Sequence, residues 1–186
     1  MGRWQPDGQG RLRVAALELF AEQGYDRTTV AEIAARAGLT ERTFFRHFGD
    51  KREVLFGGSE LLERHLAGAL AATSPTASPL AQVVDALVAA ADFFTDPEHP
   101  RLRRAVIEAH PELRERELIK MASLAEALSA GLRDHGVDEP TATLTAQTGV
   151  AIFRSAFERW TDPGQARPFG EIVHETADLL RSISRS

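Results

Sequence analysis

GLTERTFFRHFGDK, residues 38–51, packs three phenylalanines into five positions and threads Arg42, Arg46, His47 and Lys51 among them. On a helix advancing about 100° per residue, residues 40–48 put Phe44 and Phe48 on one face. Thr40, Arg42, Thr43, Arg46 and His47 take the broad opposite side, with Phe45 at the boundary. Two turns are too few to hold a helix in water without tertiary support. The two buried-type rings must therefore dock on neighbouring helices, and the side left outward is cationic and rich in hydroxyls.

The flanking sequence supplies the neighbours. Val14, Leu17 and Ala21, with Leu19 and Phe20 beside them, predict a first helix over 9–22, stopped by Gly24. Thr29 can cap a second helix whose apolar side is Val30, Ile33, Ala34 and Ala37. Gly38-Leu39-Thr40 is then a tight turn followed by a new cap. Helix, short glycine turn, helix is the helix-turn-helix arrangement, whose second helix enters a DNA major groove. The outward residues have the matching chemistry. An arginine near the helix start can read guanine in bidentate fashion, and threonine hydroxyls can bond phosphate or base. Thr29 and Lys51, at the expected starts of the second and fourth helices, sit where phosphates are commonly held.

Charge points the same way. Of 186 residues, 1–52 hold nine basic and seven acidic side chains, a net +2, whereas 53–186 hold thirteen against twenty, a net −7. An acidic body repels DNA, so contact is confined to the head. The chain has no cysteine, which excludes disulfides and cysteine-ligated metal. Its first ten residues lack the apolar core of a signal peptide, and no apolar run is long enough to span a membrane. A cytoplasmic protein with no membrane partner is expected.

The rest of the chain reads as helix. A fourth helix is expected from Lys51, capped by Asp50, to Ala72, softened at Gly57-Gly58. Further helices are expected over about 80–94 and 101–109, then one carrying the stripe Leu118, Met121, Ala125, Leu128 and Leu132 and ending near Gly136, one over about 140–161, and one at the C-terminus. The fold class is all-α, with about nine helices.

TTVAEIAARAGLTERTFFRHFGDKREVLF, residues 28–56, resembles the DNA-binding domain of the TetR family of transcriptional regulators. The resemblance rests on Thr29 before the second helix, Ile33-Ala34, Ala37-Gly38 at the turn, Thr40, Thr43-Phe44, His47-Phe48 and Lys51. It implies a helix-turn-helix DNA-binding domain over 9–56 and a ligand-binding and dimerisation domain over 57–186. It also implies that Arg42, Thr43 and Phe45 contact bases or groove, while Thr29, Thr40, Arg46, His47 and Lys51 contact phosphates of a double-stranded operator. Phe45 stands where the family usually has tyrosine, which keeps an apolar contact and removes a hydroxyl. Glu41 either accepts from a cytosine amine or favours the helix N-terminus. Arg3 and Trp4 form either a minor-groove arm or a tail.

Family members form homodimers and answer to a small molecule, usually as repressors. On the sequence, Ala146, Val150, Phe153, Phe157 and Trp160 alternate steps of four and three, the spacing of a helix packed along another. With Ile172, Leu179 and Ile183 of the last helix they form the expected dimer interface, a four-helix contact about a two-fold axis. A pocket for the effector is expected among Phe93, Phe94, Leu102, Val106, Ile107, Met121, Leu124 and Phe153, with Arg101, Arg103 and Arg104 nearby for an anionic group. Residues 101–132 are similar to actinobacterial-type members associated with fatty-acyl-CoA-like or other hydrophobic ligands, so the effector implied is acyl-CoA-like.

An enzyme finds little support. No glycine-rich phosphate loop precedes either lysine, and Gly57-Gly58-Ser59 lacks the glycine that would complete a nucleophile elbow. His174 and Asp178, four apart, lack a third metal ligand. The sequence calls for no cofactor. A helical scaffold would explain the long stripes but not the surface at 40–51.

Overall fold

A computed structural model describes residues 8–184; Arg3 and Trp4 lie outside it. The described residues form ten α-helices, one 3-10 turn and no strand. They are α1 (Gly8–Gln23), α2 (Val30–Arg36), α3 (Glu41–His47), α4 (Glu53–Phe56), α5 (Ser59–Ala71), α6 (Pro79–Ala89), the 3-10 turn Ala90–Phe93, α7 (Glu98–Ala109), α8 (Pro111–Asp134), α9 (Glu139–Trp160) and α10 (Phe169–Ile183). The all-α class is the expected one. The tenth helix arises because the expected fourth is divided: α4 ends at Phe56 and α5 starts at Ser59.

Two compact units result. The first comprises the residues up to Ser59 together with Glu98–Glu117; the second comprises Glu60–Pro97 and the residues from Leu118 onward. The first therefore extends beyond the sequence boundary at 56/57 to take in α7. Its core is Leu12, Ala16, Leu19, Phe20, Ile33, Phe44, Phe48 and Phe56, with Ile107 and Leu113 added from 98–117. On α1 the buried side runs through Leu12, Ala16, Leu19 and Phe20, and Val14 and Ala21 face out. That sequence offers two helical stripes on different sides; the one with larger side chains is inside because burial scales with apolar area, and of the other only Leu17 is buried with it.

Caps fix where these short helices start. Thr29 accepts from Glu32 N at 3.2 Å while Glu32 Oε2 accepts from Thr29 N at 2.8 Å, a reciprocal capping box. Those bonds hold the Glu32 carboxyl below its ordinary range, the backbone donor at Thr29 contributing most. Thr40 accepts from Thr43 N at 3.2 Å to start α3. Gly38, at φ +66°, makes the left-handed turn between α2 and α3 that a Cβ would strain.

In the second unit, α6, α9 and α10 enclose a core of Val83, Leu87, Phe153, Trp160, Phe169 and Ile172, closed by Leu66, Leu70, Leu124, Leu128 and Leu132. Ser78 and Asp138 cap α6 and α9. Gly149 lets α9 approach α6 closely: a Cβ there would lie 2.4 Å from Val83 Cγ1. The buried Gln82 amide is satisfied, donating to Ala77 O at 2.9 Å and pairing through Oε1 with His135 Nδ1 at 2.8 Å.

Candidate nucleic-acid interface

Two turns of α3 are held by their inner rings. Phe44 is fully buried and Phe48 nearly so, their centroids 5.4 Å apart. Docked this way, α3 presents Thr40, Arg42, Phe45 and Arg46 to solvent, with Thr43 and His47 half-buried at the margins. Phe45 is 55% exposed and meets Phe44 edge-on at 5.5 Å. The Thr40 and Thr43 hydroxyls lie 3.1 Å apart. His47 Nε2 lies beside Gly8, at the start of α1.

The cations of this unit divide into those engaged internally and those left outward. Arg36 spans Glu22, at 2.7 Å and 2.9 Å, and Glu18 at 3.4 Å. Its hydrogen bond holds Glu22 below the usual carboxylate range. Arg52 donates twice to Asp50, whose other oxygen accepts from Glu53 N. Arg103 donates to Leu55 O at 2.7 Å, pairs with Glu117 and lies over the Phe56 ring at 5.2 Å. Arg116 pairs with Glu53. By contrast, Arg42 and Arg46 are exposed and pair with no carboxylate among the described residues. Two adjacent guanidiniums with unspent donors are what phosphate and guanine edges require.

Lys51 is placed differently from the expectation. Its ammonium does not face outward from a helix start; it donates to Tyr25 O at 2.7 Å and Thr28 O at 3.0 Å, lies 3.5 Å from Asp26 O, and sits 4.2 Å from the Tyr25 ring centroid. Sequence reading missed Tyr25 as its seat, although a tyrosine just after the helix-ending Gly24 was a signal.

The expected effector residues do not converge. Leu102, Val106 and Ile107 belong to the first unit, where Val106 and Ile107 pack on its core. Phe94 is the centre of an aromatic cluster with Phe153, Phe157, Trp160 and Phe169 at 4.6–5.9 Å, and Phe93 lies between it and His65. Leu124 is core. Of the eight, Met121 alone lines the groove of the second unit. That groove, about 610 Å³ between α8 and α9, is bounded by Met121, Ala122, Ala125, Val150 and the polar Glu126, Ser129, Arg133, Thr143 and Gln147. Arg103 and Arg104 are spent on Glu117 and Glu108.

The expected dimer residues need the same correction. Ala146, Val150, Phe153, Trp160 and Ile172 are buried within their own chain, and Phe157 packs on that core. They serve the α9–α6 and α9–α10 contacts, because a stripe of helical period does not say which helix covers it. Leu179 and Ile183, 56% and 62% exposed, remain outward, and Leu144 at 67% joins them as the apolar side chain exposed on α9. His174 and Asp178 are both exposed, and Asp178 pairs with Arg181 at 2.7 Å. No described helix is long and apolar enough to cross a membrane.

A helix-turn-helix with an unpaired cationic outer face, in an all-helical chain, defines a DNA-binding transcriptional regulator. Residues 12–56 match the family described as bacterial regulatory proteins, tetR family. The chain is 42% identical over 65 residues to the HTH-type transcriptional regulator TcmR of Streptomyces glaucescens, a match spanning 35% of this chain and 29% of that one. It is 27% identical to the TetR-family regulator PfmR from Thermus thermophilus, covering 91% of this chain and 96% of that one with a TM-score of 0.52. FadR from Bacillus subtilis, solved in complex with stearoyl-CoA, shares the fold at a TM-score of 0.64, with 17% identity, 92% of this chain and 96% of that one. The relatives are transcriptional regulators, not enzymes.

Proposed function

We propose that this chain is a cytoplasmic homodimeric repressor that grips its operator with α3 and lets go when a small, largely apolar effector binds the second unit. Arg42, Thr43 and Phe45 read base edges or the groove, while Thr29, Thr40, Arg46 and His47 meet phosphates. The observation that carries the reading is the pair Arg42 and Arg46, outward and unpaired on a helix pinned from behind by Phe44 and Phe48. Residues up to 59 with 98–117 form the DNA-binding part, and 60–97 with 118–186 the effector and dimer part.

Two-fold pairing through the outer faces of α9 and α10, where Leu144, Leu179 and Ile183 are exposed, would present two α3 helices to related half-sites. The α8–α9 groove supports the effector reading: its volume suits a small ligand, and its apolar floor with a few polar groups suits an amphipathic one. The stearoyl-CoA bound to a regulator of the same fold makes long acyl-CoAs the first to try. Such a ligand releases DNA only to the extent that it prefers the DNA-incompetent state.

Arg42→Ala and Arg46→Ala test the core of this. Each is expected to weaken binding to a duplex recovered by selection from random sequences, the first by roughly 10- to 100-fold with relaxed specificity at one position, and neither to alter the helical circular dichroism. Unchanged affinity in both variants would refute the assignment.

A further inference from the structure

We propose that Lys51 is a positioning residue for DNA binding: its ammonium locks the turn between α1 and α2, and through it the seat of α3, and does not itself meet phosphate. The proposal rests on the DNA-binding reading above and concerns how that surface is held.

An ammonium has three N–H groups and no acceptor. In Lys51 they are directed at three carbonyls of one turn, those of Tyr25, Thr28 and Asp26 at 2.7, 3.0 and 3.5 Å. The face of the Tyr25 ring, 4.2 Å away, occupies another side of the charge. Burial lowers the lysine's pKa from its ordinary value, with Asp26 acting weakly against that. Two short bonds and one long contact hold the ammonium on this turn, and moving it to a phosphate would break the bonds to Tyr25 O and Thr28 O.

The turn it grips determines where α2 begins. Thr28 is buried and its hydroxyl lies 2.8 Å from Gly24 O and 3.4 Å from Leu19 O, closing the turn on α1. Thr29 follows at once as the cap of α2. α3 in turn packs on α2 and α1, where Phe44 joins Ile33 and Phe20 in one core. The turn's other side is covered by His110, whose ring lies 4.9 Å from Tyr25 and whose Nε2 lies 3.7 Å from Asp26. Displacing the turn therefore tilts α2 and the α3 surface resting on it.

A phosphate contact and a positioning contact leave different signatures. Losing a phosphate contact weakens binding to all sequences alike and flattens log K against log salt by about 0.9. Losing a positioning contact lowers affinity for the selected operator, leaves binding to a scrambled duplex alone and leaves the salt slope unchanged. For Lys51→Met, which keeps the stem, the expected result is roughly a tenfold loss on the operator, the size of one charge-assisted hydrogen bond, with the scrambled duplex and the slope as in wild type. A flattened slope with equal losses on both duplexes, or no loss on either, overturns the proposal.

A second measurement needs no variant. Lys51 and Lys120 are the chain's two lysines, so an amine-reactive reagent followed by mass spectrometry reads each one separately. Slow labelling of Lys51 relative to Lys120 in the DNA-free protein is expected. Fast labelling of Lys51 that slows only when operator is added overturns the proposal even if Lys51→Met does not fold. If the wild-type protein binds no duplex selectively while Lys51 labels slowly, the DNA-binding reading fails and takes the positioning role with it, an outcome distinct from both others.

Discussion

Replacing Gly57 with alanine sets two effects of opposite sign against each other. Gly57 has φ −61°, a conformation any residue adopts. On backbone grounds alone, alanine would stabilise by about 0.4–1 kcal/mol, by restricting the unfolded chain. The space argues otherwise. The new Cβ would stand 2.5 Å from Phe48 Cε1 and 3.3 Å from its Cζ, and 3.4 Å from Gln9 Nε2. Phe48 is 4% exposed and packed on Phe44, so its ring cannot swing clear without moving the back of α3. Overpacking of a filled core costs about 1–3 kcal/mol, which outweighs the backbone gain and leaves a net loss of roughly 1–2 kcal/mol. Operator affinity should fall as well, because the ring that is pushed is one of the two that pin α3. Urea unfolding followed by near-ultraviolet circular dichroism separates the units, since Tyr25, the chain's one tyrosine, lies in the first and Trp160 in the second. Adding Phe48→Leu removes the offending ring atoms, so the double variant should lose less than the sum of the singles. A Gly57→Ala protein as stable as wild type, with full operator affinity, would refute the steric argument at Gly57.

Three further outcomes are expected. Glu32 has its folded pKa depressed below the ordinary 4.5 by its bonds to Thr29; its contribution is therefore complete above that value and lost as pH falls through the lower folded one, and Glu32→Gln should flatten the acid limb of a stability–pH curve below about pH 5. Leu179→Glu combined with Ile183→Glu should convert a dimer to a monomer in sedimentation without unfolding it, as both side chains are already in water; an unchanged sedimentation coefficient would place the dimer elsewhere. Ala122→Trp fills the α8–α9 groove from an exposed position and should abolish any rise in melting temperature caused by stearoyl-CoA while leaving operator binding intact; a persisting shift would exclude the groove.

Local signals made the head legible. The caps Thr29 and Thr40, the left-handed Gly38 and the paired inward rings Phe44 and Phe48 act within a few residues of themselves, so their sequence spacing carries their structure. Arg42 and Arg46 could be placed outward for the same reason. Lys51 could not, because its partners are 23 to 26 residues away and only the folded turn brings them together. The body was less legible. The α9 stripe through Ala146, Val150, Phe153 and Trp160 is real, but period alone does not distinguish a partner chain from α6 and α10. Val106 and Ile107 are apolar enough for a pocket, and nothing near them in sequence says that they pack with Leu12 and Phe44. The groove residues Ser129, Thr143 and Gln147 carry no pattern at all, since a cavity is defined by what two helices fail to fill.

The most direct test of the central claim is a titration of the wild-type protein against the DNA upstream of its own coding sequence and against a scrambled duplex, at several salt concentrations. The account predicts selective binding to one duplex region, weakening steeply with salt by a slope of about −0.9 per phosphate contacted. If that region and duplexes selected from random sequence are all bound no better than scrambled DNA, the surface formed by Arg42, Phe45 and Arg46 is not a DNA-reading one.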